Sequence, residues 1–429
     1  MSVDDVVIVG AGHAGVQTAV TLRKRGFEGR ISLVGADDEV PYQRPPLSKT
    51  YLEALVGGEG ALGGLLDLQP ESAYEKLRVH LLRGREVTAL DRDRRLVHTS
   101  DGEELRYDKL VLATGARPRT LDPPEEVSDR VVHLRTKSDT ERLARLVGPG
   151  AKVAVLGGGF IGLEAASVLS RLGVEVQVFD NAPRVLNRGL STRMADHLVE
   201  QHRRNGVSIH TDWSLERVTT GEHRPVALFS DRGDGYECDL VLTGIGVLPE
   251  TGLARAAGLT VDDGVVVDGS LRTSDGDIYA IGDCARFPSD RSTGGSLRLE
   301  SVQNATEQAK HVGNAIATGQ DGEYESVPTF WTEHWGLRVQ MAGIVEPGDE
   351  LVVSGEPDEG AFSVLAFRHG RLVAVESVDR PIDHLSARRI LGDRENLPSA
   401  RDLDAYEYDL TAWSKRSRES SVREVVGRT

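Results

Sequence analysis

Glycine residues occur twice in this chain at the spacing of a dinucleotide-binding loop, each time directly after a short apolar run. Residues 10–15 read GAGHAG and residues 157–162 read GGGFIG. In such a loop the first glycine permits a tight turn, the second lets a pyrophosphate approach the backbone, and the third lets a helix pack on a strand. The residues predicted to contact the two pyrophosphates are Gly10, Gly12, Ala14 and Gly15 in the first loop, and Gly157, Gly159, Phe160, Ile161 and Gly162 in the second.

A carboxylate follows each loop at about the distance at which it would bind an adenosine ribose. Asp37 lies 37 − 15 = 22 residues after the third glycine of the first loop, and Asp180 lies 180 − 162 = 18 residues after that of the second. Asp38 competes with Asp37 for the first ribose, and we choose Asp37. Asp180 predicts a preference for NADH over NADPH because it would repel a 2′-phosphate. Arg184 is the competing feature, since an arginine there could hold that phosphate.

Each loop is placed within a complete strand–loop–helix–strand unit. The runs DVVIV (5–9) and KVAVL (152–156) are β-branched, as buried parallel strands are, and helical patterns follow from Val16 and from Leu163. A single loop of this kind is compatible with an ordinary glycine-rich turn, whereas two complete units indicate two dinucleotide sites. The natural pair is a flavin that stays bound and a nicotinamide that exchanges, because hydride transfer needs a donor and an acceptor.

The composition of the chain excludes several kinds of metal and thiol sites and disfavours some classes of partner. Cys238 and Cys284 are the chain's two cysteines, 46 residues apart, which excludes a four-cysteine iron–sulfur cluster, a zinc ribbon and a CxxC dithiol. No HExxH or GxSxG motif is present, and we predict no metal. The formal charge of −16 argues against a nucleic-acid or membrane-surface partner. The acidic first residues and the lack of a long apolar run predict a cytoplasmic protein without a membrane span.

Further motifs spread over about residues 4–395 resemble those of the glutathione-reductase superfamily of flavoprotein reductases. More narrowly, they resemble NADH-dependent ferredoxin reductases that serve cytochrome P450 and Rieske-type oxygenases. These motifs are RPPLSK (44–49), LATGARP (112–118), GIGVLP (244–249), YAIGDCA (279–285), RLESVQNA (298–305) and FW (330–331). The resemblance implies that FAD and NADH are the cofactors and that an iron–sulfur ferredoxin is the electron acceptor.

The resemblance also implies roles for single residues. Lys49 would sit beside the reactive flavin ring and Glu164 near the nicotinamide ribose, so both are candidate catalytic residues. Glu164 is equally compatible with an acid placed in the first turn of a helix for the helix dipole. The remaining residues expected at the cofactors are Val87, Ala113, Thr114, Gly115, Arg135, Asp283, Val302 and Trp331 for FAD, and Gly246 for NADH. Thr114 and Gly115 also fit a plain strand end, Asp283 a helix N-cap, and Trp331 a core aromatic.

These observations predict an α/β fold with two Rossmann-like domains and a C-terminal α+β domain. The predicted FAD domain is discontinuous (1–118 and 248–325), the NAD domain spans 119–247, and the C-terminal domain spans 326–429. A hairpin is expected at His369-Gly370. Two segments depart from the expected pattern: residues 56–64 read as a flexible insertion, and the charged tail from about 396 is expected to be a solvated helix or disordered.

The resulting functional hypothesis has a hydride entering from NADH and electrons leaving singly to ferredoxin. No cysteine lies near the first glycine helix, so an internal disulfide cannot take the electrons. Two alternatives remain open. One is a quinone or peroxide reductase on the same scaffold, and the other is a redox-responsive binding protein similar to apoptosis-inducing factor, which the acidic charge disfavours.

Overall fold

The computed structural model describes residues 3–58, 60 and 63–415. Part of the expected insertion at 56–64 and the end of the tail, 416–429, lie outside the described residues. The chain divides into two compact units. The first comprises residues 1–47, 60–119 and 247–326, and the second comprises 48–59, 120–246 and 327–429. The predicted division into three domains stays a prediction.

The helices whose two ends both lie within the described residues are α1 (His13–Lys24), α2 (Thr50–Val56), α3 (Glu71–Lys76), α4 (Lys137–Leu146), α5 (Phe160–Arg171), α6 (Thr192–Arg204), α7 (Gly252–Ala256), α8 (Val302–Thr318), α9 (Pro381–Gly392) and α10 (Ala400–Asp404). Short 3₁₀ turns cover Pro45–Ser48, Gly63–Leu66, Glu125–Arg130, Gly282–Cys284, Pro357–Glu359 and Arg394–Asn396.

The strands are β1 (Asp5–Val9), β2 (Arg30–Val34), β3 (Val79–Leu82), β4 (Val87–Asp91), β5 (Leu96–Thr99), β6 (Glu104–Arg106), β7 (Lys109–Leu112), β8 (Ala116–Pro118), β9 (Val131–His133), β10 (Lys152–Leu156), β11 (Glu175–Phe179), β12 (Ser208–His210), β13 (Leu215–Thr219), β14 (Val226–Ser230), β15 (Gly235–Cys238), β16 (Leu240–Thr243), β17 (Val247–Pro249), β18 (Val265–Val266), β19 (Ile278–Ala280), β20 (Ala285–Pro288), β21 (Ser296–Leu297), β22 (Thr329–His334), β23 (Leu337–Gly343), β24 (Glu350–Glu356), β25 (Ala361–Arg368) and β26 (Arg371–Val378).

The first unit is built on a parallel sheet in the order β3-β2-β1-β7-β19. Its central strand β1 is buried from Val6 to Val9, which explains the unbroken apolar run in the sequence. Helix α8 packs against α1, and the two come so close that a Cβ added at Gly313 would lie 2.9 Å from the Cβ of Thr21. The carboxyl ends of β1, β7 and β19 therefore open at one edge, where the first glycine loop begins.

The second unit repeats this plan. Its parallel sheet has the order β12-β11-β10-β16-β9, with the strand before the second glycine loop again in the centre. In both units a three-stranded antiparallel sheet precedes the fourth strand: β4-β5-β6 before β7, and β13-β14-β15 before β16. This repetition confirms the predicted α/β fold with two Rossmann-like halves.

The second unit also contains an antiparallel sheet in the order β22-β23-β26-β25-β24, on which α9 packs. The hairpin between β25 and β26 turns at His369 and Gly370, whose φ angles of 50° and 74° are those of a tight hairpin turn. The predicted hairpin is thus confirmed.

The expectation of a solvated tail from 396 is wrong as far as 410, because Leu403 and Leu410 are fully buried in the core beneath this sheet.

Among the described residues, no helix is both long enough and apolar enough to cross a lipid bilayer.

Candidate functional site

The first glycine loop is shaped by two close backbone approaches and one open position. A Cβ at Gly10 would lie 2.2 Å from the carbonyl oxygen of Ala113, and a Cβ at Gly15 would lie 1.9 Å from that of Gly10. Gly10 also has a φ of 108°, which side chains rarely adopt. At Gly12 a Cβ would meet nothing within 4 Å. The first and third glycines are therefore required by packing, whereas the second faces free space.

The second loop has the same construction. A Cβ at Gly157 would lie 2.4 Å from the carbonyl oxygen of Gly244, and one at Gly162 would lie 2.3 Å from that of Gly157. At Gly159 the nearest atom would be the Gly244 oxygen at 3.9 Å. Helices α1 and α5 start directly after the open glycines, with neither a capping side chain nor an acid in the first turn. Each loop thus presents uncrowded backbone at the positive end of a helix, which fits a pyrophosphate.

Two other predicted FAD segments lie beside the first loop. The end of β7 is held by Thr114, whose hydroxyl donates to the carbonyl oxygen of Glu250 at 2.7 Å. Asp283 lies in a 3₁₀ turn that passes close to α1, since a Cβ at Gly282 would be 3.3 Å from that of Ala14. The suggestion that Asp283 is a helix N-cap is wrong, because Ile281 occupies that position.

The remaining predicted residues are distributed over both units. In the first unit, Val87 starts β4, Val302 starts α8, and Ala113 and Gly115 flank Thr114. In the second unit, Arg135 precedes α4, Ile161 lies 39% exposed on the first turn of α5, and Phe160 packs on Phe330 at 4.6 Å between ring centres. Gly246 follows β16 in the second unit.

Two exposed carboxylates of the first unit, Asp37 and Asp38, are candidates to bind the first ribose. Asp37 accepts a hydrogen bond from the hydroxyl of Tyr42 at 3.0 Å and from the amide of Glu39 at 3.2 Å. Asp38 lies next to Gly84. We keep Asp37 as the proposed ribose ligand, because Tyr42 orients its carboxylate.

The carboxylate of Asp180 is fixed by two backbone amides, one of which belongs to the second glycine loop. Its carboxylate accepts from the amide of Gly158 at 2.6 Å and from that of Ala182 at 2.8 Å. Arg184 is turned into its own loop, where it donates to the carbonyl oxygens of Leu190 and Ser191 at 3.4 and 3.3 Å. The arginine that could have favoured NADPH is therefore engaged elsewhere, while the acid is aimed at the loop.

This arrangement predicts a nucleotide preference. We expect wild-type protein to show a higher kcat/KM with NADH than with NADPH, because Asp180 would face the additional phosphate. Asp180→Ala should reduce the ratio of the two kcat/KM values by about 10-fold or more, while Asp212→Ala, an exposed aspartate of the same unit, should not. Steady-state kinetics with both nucleotides measures the ratio, and a wild-type preference for NADPH would contradict the assignment.

Lys49 and Glu164 form a buried ion pair in the second unit. Lys49 Nζ lies 2.5 Å from Glu164 Oε2, with side-chain exposures of 14% and 4%. Lys49 follows the 3₁₀ turn at Pro45–Ser48, as its two prolines suggest, and precedes α2. Its ammonium lies 4.9 Å from the ring centre of Trp331, which also has the guanidinium of Arg338 at 5.8 Å. The structure therefore brings together the two predicted catalytic residues and one predicted aromatic.

Glu164 is buried and accepts hydrogen bonds that its position in the sequence did not predict. It lies in the second turn of α5, so the interpretation as a first-turn acid is wrong. Ser48 Oγ donates to Oε2 at 2.7 Å and Thr332 Oγ1 donates to Oε1 at 2.6 Å. Sequence reasoning missed both hydroxyls, together with His334. One signal was available: Thr332 and His334 are polar residues at alternate, buried positions of β22.

The two cysteines are separate and buried. Both are free thiols with no exposed surface, and burial raises the pKa of each, that of Cys238 to about 12. Such thiols are protonated and unreactive at neutral pH. Among the described residues, no group of three or more His, Cys, Asp or Glu side chains is arranged to hold a metal ion.

Comparison with known proteins agrees with this geometry. Residues 4–309 match the pyridine nucleotide-disulphide oxidoreductase family, and residues 329–412 match the reductase C-terminal family. The chain is 40% identical to rhodocoxin reductase of Rhodococcus erythropolis over 98% of this chain and 97% of that protein. It is 39% identical to putidaredoxin reductase of Pseudomonas putida over 91% and 92% of the two chains.

A solved structure is similar over nearly the whole length. The reductase in the covalent putidaredoxin reductase–putidaredoxin complex superposes with a TM-score of 0.88 at 37% identity, covering 97% of this chain and 100% of that one. The resemblance inferred from the motifs, the oxidoreductase class and the FAD and NADH cofactors are thereby confirmed. The chain belongs to the pyridine nucleotide-disulphide oxidoreductase family, among its ferredoxin reductases.

Proposed function

We propose that this chain uses FAD to pass electrons from NADH to a small iron–sulfur ferredoxin, which supplies a cytochrome P450 or a Rieske-type oxygenase. The observation that carries the proposal is the state of the cysteines: the chain has two nucleotide loops but only two cysteines, both buried and unpaired. Electrons that enter from a nicotinamide cannot leave through an internal dithiol. They must leave to an external acceptor.

The named relatives agree with such an acceptor. Two of them are reductases for rhodocoxin and putidaredoxin, and others are reductase components of chlorobenzene and anthranilate dioxygenase systems. We also propose a cytoplasmic location, where NADH is available as reductant.

Separate sets of residues are proposed to bind FAD, to bind NADH and to assist electron transfer. We propose that the first loop, Asp37, the end of β7 and Asp283 hold FAD, and that the second loop and Asp180 hold NADH. FAD supplies, when bound, the ability to accept a hydride and to release electrons one at a time. Lys49 provides a fixed positive charge at a largely buried position, and Glu164 keeps that ammonium in one place. Trp331, in contact with Lys49, is proposed to line the electron exit.

The thiols give a direct test against the peroxide-reductase alternative. We expect the double variant Cys238→Ser, Cys284→Ser to keep FAD and to be reduced by NADH at a rate within about 3-fold of wild type, because neither protonated, buried thiol can relay electrons. Stopped-flow absorbance of the flavin measures the rate. Loss of reduction with FAD still bound would indicate a thiol relay.

Docking of ferredoxin is expected to depend on charge. Ferredoxins are typically acidic and this chain has a net charge of −16, so approach requires a local positive surface. The candidate residues for this surface are Arg286, Arg291 and Arg298 near the YAIGDCA motif, and Arg338, Arg388 and Arg389 in the C-terminal part of the chain. Arg286 and Arg298 are paired with carboxylates. Arg388 and Arg389 are exposed on α9, whereas Arg338 lies over Trp331. The C-terminal arginines are therefore better candidates than Arg286 and Arg298.

We expect turnover with ferredoxin to fall steeply between 0.1 and 1 M salt, while reduction of a small quinone changes little. The Debye length falls over this range from about 10 Å to about 3 Å, which weakens steering of a charged protein. The variant Arg388→Gln, Arg389→Gln should raise the KM for ferredoxin, and Arg203→Gln, Arg204→Gln, another exposed adjacent pair on α6, should not. Equal salt responses of the two acceptors would contradict electrostatic docking, and no turnover with any ferredoxin would contradict the proposed function.

A further inference from the structure

A row of hydrogen bonds runs through the second unit from the indole of Trp335 to the carboxylate of Glu164. Trp335 Nε1 lies 3.2 Å from His202 Nδ1, and His202 Nε2 lies 3.3 Å from His334 Nδ1. His334 Nε2 lies 2.9 Å from Thr332 Oγ1, which lies 2.6 Å from Glu164 Oε1. The side chains come from α5, α6, β22 and the turn that follows β22.

The two ends of this row require the same direction of hydrogen bonding. An indole N–H can only donate, so His202 Nδ1 must accept and a neutral His202 carries its proton on Nε2. A carboxylate can only accept, so Thr332 donates to Glu164 and must itself accept from His334 Nε2. A neutral His334 then accepts at Nδ1 from His202. Every bond points toward Glu164, and each histidine is restricted to its Nε2–H tautomer.

Both histidines are held neutral by their surroundings. Neither ring has exposed surface, and the pKa of each is lowered to about 3. Burial is the main cause for both; His334 adds to the effect on His202, and Lys49 adds to the effect on His334, whereas a hydrogen bond between His334 and the backbone of Leu163 acts in the opposite direction. The row therefore carries no net charge at neutral pH but presents a series of aligned dipoles, positive ends toward Glu164.

The first member of the row is placed at a conformational cost. Trp335 has a φ of 56°, which is unusual for a bulky residue, and it forms the tight turn between β22 and β23 together with Gly336. Its amide donates to Ser167 Oγ of α5 at 2.9 Å. The backbone and the indole of Trp335 are thus both tied to side chains of the same unit. Because the indole keeps its proton, the row cannot conduct protons from that end.

We propose that Trp335, His202, His334 and Thr332 are positioning residues that form an oriented, non-conducting hydrogen-bond row, which keeps the carboxylate of Glu164 aimed at Lys49. This inference rests on the proposed function in one respect, namely that the Lys49–Glu164 pair serves flavin reduction. It adds a set of residues from the C-terminal sheet and α6 to that pair. A substitution in the row should alter the reduction of FAD without removing any contact to a nucleotide.

The first test reads the tautomers directly and needs no turnover. In the holoprotein labelled with [15N]histidine, we expect His202 and His334 to show a protonated Nε2 and an unprotonated Nδ1 from pH 6 to pH 8. His202→Gln and His334→Gln identify the two sets of signals. In Trp335→Phe the Glu164 end still imposes the direction, so both rings should keep the Nε2–H tautomer. In the double variant Trp335→Phe, Thr332→Val neither end imposes it, and signals of both tautomers should appear. A charged ring or an Nδ1–H tautomer in the wild-type protein would overturn the proposal.

The second test compares two changes at Thr332. Thr332→Val preserves shape and removes the hydroxyl, and it should lower the rate constant of flavin reduction at saturating NADH by about 10-fold, as expected for a hydrogen bond to a charged group. The Kd for NADH should change less than the rate constant. Thr332→Ser keeps the hydroxyl and should restore most of the lost rate. Equal rates in the two variants would overturn the proposal.

The two tests distinguish this inference from the proposed function. If wild-type flavin is reduced by NADH but no ferredoxin is turned over, the proposed function fails and the row is still tested by both experiments. If ferredoxin turnover is normal but the tautomers or the Thr332 pair disagree with expectation, only the row is wrong.

Discussion

Replacing Lys49 with methionine is expected to lower the free energy of unfolding by about 3–5 kcal/mol, the usual cost of removing one partner of a buried ion pair. Glu164 would keep the hydrogen bonds from Ser48 and Thr332 but would lose its counter-charge at a position where only 4% of its side chain is exposed. The same change should reduce the rate of flavin reduction by NADH roughly 100-fold, as loss of a preorganised charge does at other active sites.

The double variant Lys49→Met, Glu164→Gln separates the two effects. Removing both charges eliminates the unpaired carboxylate, so most of the stability should return, whereas the rate should stay low because the ammonium is still absent. Urea unfolding of the FAD-loaded protein and stopped-flow reduction measure the two quantities. Arg171→Met, which removes a half-exposed partner of Glu53 between α5 and α2, is the control and should cost less than about 1 kcal/mol. A fast double variant would show that Lys49 acts only on stability.

Changing the middle glycine of each loop should remove one nucleotide and leave the other bound. Gly12 and Gly159 have φ angles of −85° and −82°, which any residue can adopt, and a Cβ at either position meets no atom closer than 3.9 Å. Gly12→Val should therefore fold but purify without FAD. Gly159→Val should retain FAD and require about 100-fold more NADH for the same rate of reduction, because its side chain occupies the approach to the pyrophosphate.

The flavin spectrum, the NADH dependence and circular dichroism together test this prediction. Gly252→Val, a third glycine with an unrestricted φ and no atom within 4 Å, is the matched control and should bind both nucleotides. Changes at Gly10 or Gly15 cannot serve, since a side chain there would collide with backbone. If Gly12→Val keeps FAD and Gly159→Val keeps its NADH affinity, the two loops are not the nucleotide sites.

The loops and their strands could be predicted from the sequence because their determinants are local. A buried parallel strand requires an apolar run, and a turn with a φ near 100° requires glycine, so DVVIV with Gly10 and KVAVL with Gly157 carry their structure in a few adjacent residues. The same holds for the hairpin at His369 and Gly370. The tail from residue 396 could not be predicted in this way. Its low apolar periodicity suggested a solvated segment, yet Leu403 and Leu410 are buried, because they pack with apolar residues of the C-terminal antiparallel sheet that lie earlier in the chain.

The sequence by itself thus determined the α/β fold class, the two nucleotide loops and the family, because each depends on the types and spacing of neighbouring residues. Only the tertiary structure decided what surrounds Glu164, because its partners are contributed by Ser48, Lys49 and Thr332 and extend to His202 and Trp335. Of its direct partners, Lys49 and Ser48 lie 115 and 116 positions before Glu164, and Thr332 lies 168 positions after it. Which residues are joined by such hydrogen bonds cannot be read from the local sequence, since the bonds arise from the packing of α5, α6 and β22.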